Sequence, residues 1–394
     1  MRVLLNGLAA LKPKTGVGHH VVQLHAHLQS HNPSDAFTLY PGDRVGGWVK
    51  RFNQPKPTGG AKKCSRPGLS AKLRETAKEL AKLASAVHFE GYARTFPFDL
   101  YHEPNFVPYR SHLPTVVTVH DLSVVRFPQW HPTDRVRFHD RHFRRGLERA
   151  DHVIVVSEAV RREVIELLGI SPHRVTAVHN GVNPGFRPQS AETIAGVRAR
   201  HNLPTSYFLC VGTIEPRKNL AAVMRAYADL PASVREACPL LLAGPWGWKS
   251  EADREYFDTT AAPAGARHLG YVPDADLPGL YAGATALLYP SHYEGFGFPP
   301  VEMLAVGGTV LASTDPAVRE VVGPHARLLP PDDLSGWRDA MREVAANPAV
   351  SATTKANRVA HARTFSWDRA ACETMAVYRQ VLGLAAESTI RAAA

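Results

Sequence analysis

Two hydrophobic patterns alternate along the chain. Short runs rich in β-branched and other apolar residues predict strands at Val3–Leu5, Val116–His120, His152–Val156, Val175–His179, Phe208–Val211, Leu240–Ala243, Ala286–Tyr289 and Thr309–Ala312. Between them, apolar residues recur at three- and four-residue spacing, as at Val160–Leu168, Leu220–Asp229 and Asp276–Ala282, and these stretches predict helices. Strands separated by helices of this length form βαβ units and parallel sheets. Ligands of such sheets bind in the crevice beyond the carboxyl ends of the strands. The turn-rich stretch Asn180–Pro188 follows one complete run of alternating elements, and the pattern restarts near Tyr207. The chain therefore divides into two α/β domains of similar size, 1–185 and 186–364, with the boundary region around 184–205.

Composition narrows the class. The 394 residues are 44% hydrophobic and 21% charged, which suits a folded chain with ample core. No apolar run approaches the roughly 18 residues needed to span a bilayer, so an integral helical membrane protein is not expected. The opening MRVLLNGLAALKPKTGVGHH reads as a first strand running into a glycine-rich turn, not as a signal peptide. Cys64, Cys210, Cys238 and Cys372 are scattered without CxxC spacing, so neither a disulfide framework nor a zinc ribbon is expected, and the cytoplasm is the default compartment.

Charge is unevenly spread. The net charge is +10, and the segment 44–82 alone holds eleven Lys/Arg against Glu75 and Glu79, a local +9. Its first part, about 44–68, reads as a basic insertion with Pro55, Pro57, Gly59, Gly60 and Pro67. A helix from Leu69 to about Val87 follows, with Leu69, Leu73, Leu80, Leu83 and Val87 on one face and Lys72, Arg74, Lys78 and Lys82 around it. Such a helix either packs on its own domain or, with Trp48 and Phe52 nearby, lies against anionic lipid, where each cation is worth about 1 kcal/mol. Nucleic acid is not the expected partner, because the basic residues are not interleaved with aromatic stacking platforms.

The densest chemistry lies at 291–308, where Glu294 and Glu302 bracket Gly295-Phe296-Gly297-Phe298 and then Pro299-Pro300. Proline is favoured at a helix start, so Glu294 should close a strand, the glycines should form the turn, and Glu302 should lie in the next helix's first turn. Free backbone N–H groups at such a turn make a ready site for phosphate, and a carboxylate on each side could accept sugar hydroxyls. The plain alternative is an acid complementing a helix dipole. After the second domain's first strand come Glu215-Pro216-Arg217-Lys218-Asn219, where Arg as a planar fork and Lys as a point charge could clamp a diphosphate or simply be solvated cations. The first domain offers Gly16-Val17-Gly18, either a phosphate contact or a tight turn, and His120-Asp121 at a strand end, where the histidine either points into the crevice or is, as is more usual, an ordinary core or surface histidine. His139 and His142 share a helical face, but no third ligand with metal-site spacing accompanies them, so no metal is expected. Arg135, Arg137, Arg141, Arg144, Arg145 and Arg149 read as a solvated helix face.

Taken together these residues resemble glycosyltransferase family 4, the retaining nucleotide-sugar enzymes of GT-B fold. The matching pieces are Gly16-Val-Gly18, His120-Asp121, Ala150 to Ser157, Val178 to Asn183, Gly212 to Asn219, Ala243-Gly-Pro245, Leu269 to Val272 and Glu294 to Glu302, in the family's order over nearly the whole chain. The resemblance implies two Rossmann-like domains facing a central cleft, an acceptor domain first and a donor domain second, with a helix at 365–385 crossing back to the first. It implies that Glu294 holds hydroxyls of the donor sugar, Glu302 the ribose, and Arg217 and Lys218 the diphosphate. Backbone amides of Gly295, Phe296, Gly297 and Phe298, and of Gly16 and Gly18, would complete that cradle. His120 would sit beside the transferred sugar, and main-chain groups at Tyr271 and Val272 would face the nucleobase. No cofactor and no metal are implied, since cations and helix dipoles supply the charge. Thr213 stands where many members carry Arg, and the Glu-Pro-Arg-Lys-Asn version is similar to bacterial mannosyl- and rhamnosyltransferases of polysaccharide assembly. The expected reaction moves a hexose, mannose from GDP-mannose first and a sugar of a GDP, dTDP or UDP donor otherwise, onto a lipid-linked or lipopolysaccharide acceptor. A non-transferring epimerase of the same fold is the other alternative. An anionic membrane surface on the cytoplasmic side is the partner implied for 44–82.

Overall fold

The structure, a computed structural model, describes residues 1–11, 16–42 and 84–384. The basic insertion and most of the helix predicted from Leu69 lie outside the described residues. The described part of that helix continues to residue 95, past the end expected at Val87.

Two six-stranded sheets organise the chain. The first runs β2-β1-β3-β4-β5-β6 and the second β12-β11-β10-β7-β8-β9. Every ladder is parallel. In the first sheet the strands are β1 (Arg2–Asn6), β2 (Ala36–Tyr40), β3 (Leu100–Glu103), β4 (Thr115–Val119), β5 (His152–Val155) and β6 (Val175–Ala177). In the second they are β7 (Phe208–Val211), β8 (Leu240–Ala243), β9 (Arg267–Gly270), β10 (Ala286–Tyr289), β11 (Val310–Ser313) and β12 (Arg327–Leu329). All eight predicted strands are present, three with the expected ends. Strand β4 stops one residue short of the expected end, so His120 is the first residue beyond it.

Four strands escaped the apolar pattern. Three of them, β2, β9 and β12, are sheet edges with a single partner, where one face stays wet and the apolar run is interrupted. The fourth, β3, is central and wholly buried, yet reads Leu-Tyr-His-Glu. Its polar residues are tolerated because each finds a partner: His102 meets Tyr378 Oη at 2.6 Å and Thr118 Oγ1 at 2.8 Å. Glu103 accepts from Asn6 at 2.6 Å and Tyr101 at 2.7 Å.

Helices cover both faces of each sheet. The Glu158–Leu168 helix starts at Ser157, whose hydroxyl accepts from Val160 N, and stops at Gly169 in the left-handed region. The last helix, Trp367–Val381, leaves the second sheet and packs on the first. There Trp367, Ala370, Ala371, Met375, Val377 and Tyr378 join one core with Val3, Leu5, Leu24, Leu28 and Val116.

The carboxyl edges of the two sheets face one another and touch. Ser157 Oγ donates to Gly295 O at 2.8 Å, and Leu122 N donates to Tyr293 Oη at 2.8 Å. Glu320 accepts from Glu158 N at 2.8 Å and Ala159 N at 2.9 Å, and pairs with His179 at 2.6 Å. Trp248 Nε1 donates to Trp130 O at 2.9 Å.

Candidate active site

The carboxyl ends of β7 and β10 bring the expected cations and the first glutamate together. Pro216–Lys218 forms one tight turn after β7, and Asn219, left-handed at φ 52°, ends it. The Asn219 amide donates to Pro331 O at 2.9 Å and Pro290 O at 3.2 Å, which pins the turn beside the loop after β10. Arg217 and Lys218 then reach opposite oxygens of the Glu294 carboxylate: Arg217 Nη1 meets Oε2, and Lys218 Nζ meets Oε1 at 2.6 Å. Arg217 also donates to Glu215 Oε1 at 2.8 Å and Tyr293 O at 3.0 Å, and Lys218 to Tyr289 Oη at 2.9 Å.

Burial sets the electrostatics of this cluster. Glu294 is 6% exposed, and desolvation by itself would raise its pKa, but Arg217 and Lys218 hold the group down at about 2. Burial likewise lowers Lys218, with Glu294 opposing. Asp315 accepts from the backbone N–H of Ala317 and Val318 and, at 3.3 Å, of Glu294. Its burial, with the Glu294 charge adding, lifts it to about 7.

Glu302 stands apart from that cluster. The helix here is Phe298–Ala305, so Glu302 is its fifth residue and belongs to the second turn, not the first as expected. The turn glycine Gly297 precedes the helix at φ 107°, which moves the helix start to Phe298. Glu302 accepts from Tyr281 Oη at 2.8 Å. Burial pushes it up to about 7, against the Tyr281 hydrogen bond and with Asp274 adding. Asp274 follows the Tyr271-Val272 pair, in which Tyr271 is 71% exposed and Val272 buried.

The first sheet supplies the opposite wall. His120 Nε2 lies 2.8 Å from Pro104 O, an acceptor only, so Nε2 carries the proton and Nδ1 is bare. Burial pushes its pKa below the ordinary histidine value, and the ring is neutral. The rings of His20 at 4.8 Å and Phe106 at 5.6 Å pack against it. The glycine-rich loop of the second sheet abuts it directly: a Cβ on Gly295 would fall 1.7 Å from His120 O. Glycine is thus required at 295 for the walls to meet. Gly16 opens the helix Gly16–His31, with Gly18 buried in its first turn. His19 Nε2 reaches across to Asp274 Oδ2 at 3.6 Å.

The structure therefore gathers His120, Arg217, Lys218, Glu294 and Gly295 in one place, and sets Glu302 apart, beside Tyr281 and near Asp274, two residues after Val272. Phe296 contributes backbone only: its ring is buried against Phe298 at 5.2 Å and Phe365 at 5.8 Å. Glu215, Tyr281, Tyr289, Asp315, His20 and Asn180 are neighbours that spacing did not single out. Of these only Glu215 carried a local signal, an acid two residues before Arg217. Among the described residues no group of three His, Cys, Asp or Glu could hold a metal ion.

Known proteins resemble the chain over most of its length. Residues 197–362 match the family model described as "Glycosyl transferases group 1", and residues 14–186 match "Glycosyltransferase Family 4". The chain is 30% identical over 371 residues to the O-antigen chain mannosyltransferase B of Escherichia coli, covering 93% of this chain and 96% of that protein. It is 32% identical over 228 residues to the serotype-specific mannosyltransferase WbdA of Escherichia coli, spanning 28% of that longer protein. Among solved structures it resembles Anabaena HepE in complex with UDP and glucose, with TM-score 0.67 and 16% identity, covering 96% of this chain and 100% of that one.

Proposed function

The chain belongs to glycosyltransferase family 4 and has the two-domain GT-B fold, and from that premise we propose that it transfers mannose from GDP-mannose to a growing polysaccharide or lipopolysaccharide glycan. The observation that carries the reading is the Arg217–Lys218–Glu294 cluster facing His120 across the Gly295 contact. A carboxylate has about four lone-pair positions. Arg217 and Lys218 meet one oxygen each, and in this reading the remaining lone pairs accept hydroxyls of the sugar while the two cations stabilise the charge of the diphosphate.

In the reaction the acceptor hydroxyl oxygen bonds to the anomeric carbon as the bond from that carbon to the diphosphate oxygen breaks. The departing diphosphate takes the acceptor's proton. Attack on the same face retains the anomeric configuration. Arg217 and Lys218 stabilise the negative charge of the leaving group, each such contact contributing about 3 kcal/mol to lowering the barrier. The amides at the start of the Phe298–Ala305 helix and at Gly16–Gly18 add fixed dipoles. Glu302, with Tyr281 and the Tyr271-Val272 pair, holds the nucleoside. His120, neutral with Nδ1 bare, accepts from a hydroxyl of the transferred sugar. These fixed charges stand in for a metal ion. The acceptor is a lipid-diphosphate glycan or polysaccharide end, and the basic segment 44–82 brings the enzyme to an anionic membrane surface on its cytoplasmic side. Among the described residues no helix is long and apolar enough to cross a membrane.

The deciding test is thermal unfolding with GDP, UDP, dTDP and ADP, without added metal, followed by turnover of the matching nucleotide sugars. A ligand at a hundred times its dissociation constant stabilises by about 2.7 kcal/mol. GDP should give the largest shift, and GDP-mannose should be turned over. Preference for UDP or dTDP would overturn the donor and leave the reaction class standing, whereas no response to any nucleotide would overturn the reading.

A further inference from the structure

His20 stands where the two chain crossings between the sheets meet. It lies in the second turn of the Gly16–His31 helix and is 6% exposed. One edge of its ring reaches Asn180, with Nδ1 and Oδ1 2.7 Å apart. Asn180 is 2% exposed and lies in the outgoing crossing, between β6 and the second sheet. The return crossing presses against the same stretch: Val182 N donates to Phe365 O at 2.9 Å, and a Cβ on Gly181 would fall 2.2 Å from Trp367 N. The Trp367 ring is also a neighbour of His20, 5.6 Å away and edge-on. A single imidazole therefore touches the outgoing crossing, the return crossing and His120, whose ring it meets at 4.8 Å and 86°.

The hydrogen-bonding of His20 is incomplete in an informative way. Asn180 offers its amide oxygen, so Nδ1 of His20 carries the proton. Burial lowers the ring's pKa well below the ordinary histidine value, against the Asn180 hydrogen bond, and holds it neutral. Nε2 is then a bare lone pair, buried with no partner. An unpaired buried polar atom costs about 1–3 kcal/mol, so an apolar side chain would suit this packing better if packing were all that counted. Among the described residues the His120 side chain has one hydrogen bond, to Pro104 O, and its ring packs against those of His20 and Phe106. The Phe106 backbone is left-handed at φ 65°, and its N–H donates to Thr118 O at 3.0 Å. Of the two rings packed against His120 among the described residues, His20 is the one that also touches the junction of the crossings.

We propose that His20 is a positioning residue: it seats the His120 ring and couples that seating to the junction of the two crossings at Asn180 and Trp367. The coupling rests on the reading of His120 as the group that contacts the transferred sugar. A relative rotation of the two sheets has to turn about the crossings, and His20 carries that rotation to His120.

Three variants test this in the full-length protein. His20→Phe keeps a ring and loses the bond to Asn180, Asn180→Ala loses the bond and keeps the imidazole, and His20→Gln keeps an amide that can bond to Asn180. Loss of seating should lower kcat by about 10- to 100-fold in the first two. The donor KM should stay within about twofold, and Gln should recover part of the loss. In a His120→Ala background His20→Phe should cost nothing further. Equal losses in both backgrounds, or a KM that rises with the loss of kcat, overturn the proposal. A second readout does not depend on turnover. Long-range proton–nitrogen correlation on histidine-labelled protein, with His120 assigned by its loss in His120→Ala, should show one Nε2-protonated tautomer in the wild type and a mixture in His20→Phe. An unchanged His120 pattern overturns the proposal even in a protein that transfers no sugar. Absence of any nucleotide-sugar turnover in the wild type would instead overturn the functional reading.

Discussion

Glu294 is a buried carboxylate whose charge is kept only by its neighbours. Its folded pKa of about 2 lies below the ordinary 4.5, so the stability it confers is present above pH 4.5 and is lost as pH falls through 4.5 toward 2. Removing one member of a buried ion pair costs about 3–5 kcal/mol, because the partner charges are left uncompensated. Glu294→Gln should therefore lower the melting temperature clearly at pH 7, and the gap to wild type should close as the buffer is taken from pH 5 to pH 3. A gap that stays constant with pH would show that the Glu294 charge does not support the fold. The same variant should reduce transfer by about 10²–10³-fold. Glu302 has the opposite sign. Its folded pKa of about 7 lies above 4.5, so its contribution is intact below pH 4.5 and turns into a penalty as pH rises through 7. Glu302→Gln should make the ligand-free protein more heat-stable than wild type at pH 8 while weakening nucleotide binding, and a lower melting temperature at pH 8 would contradict this. The two acids were visible in the sequence as a pair eight residues apart. Their different surroundings were not, since Tyr281 and Asp274 come from other segments of the chain.

At the scale of elements, the loop between β10 and the Phe298–Ala305 helix joins the two walls of the cleft. Gly295 is its contact point: Ser157 Oγ donates to its carbonyl, and the missing side chain leaves room for His120 O. Gly295→Ala would place a carbon 1.7 Å from that oxygen, so the walls must part. The hydrogen bonds and ion pairs that hold Arg217, Lys218 and Glu294 together are all made within the second domain. Nucleotide-dependent thermal shift should thus survive in Gly295→Ala, while kcat falls by about 100-fold from misplacement of His120. Wild-type turnover in this variant would mean that the contact is dispensable. The loop was readable because its glycines and prolines are local punctuation, and β7, β8 and β10 because strands buried on both faces give unbroken apolar runs. Strand β3 was not readable: its His102 and Glu103 are satisfied by Tyr378 and by Asn6, 276 and 97 residues away. Periodicity cannot register a partner at that distance.

At the scale of the whole molecule, the same limit applies to how the two sheets are tied. Their alternation of strands and helices is a short-range signal and was plain. The tie depends on contacts such as His20 with Asn180, 160 residues apart, and Tyr378 with His102. The Trp367–Val381 helix completes the first sheet's core although it follows the second in sequence, with Trp367 3%, Met375 2% and Tyr378 0% exposed. Fully burying a large apolar side chain contributes about 1.5–3 kcal/mol. Losing Trp367, Met375, Val377 and Tyr378 together would therefore remove an amount comparable to the roughly 5–15 kcal/mol that holds a typical domain folded. It would also leave His102 Nδ1 buried without its Tyr378 partner. A chain ended after Phe365 should accordingly lose the cooperative unfolding of the first sheet, while the second, whose own core clusters contain no residue of this helix, keeps a nucleotide-responsive transition. Calorimetry with and without the preferred nucleotide distinguishes the outcomes. If the truncated chain unfolds as cooperatively as the intact one, the helix is an accessory; if it loses both transitions, the two sheets are a single folding unit. Survival of the nucleotide-responsive transition alone would locate the dependence in the first sheet, and would explain why a chain that alternates so regularly returns, at its last helix, to the domain where it began.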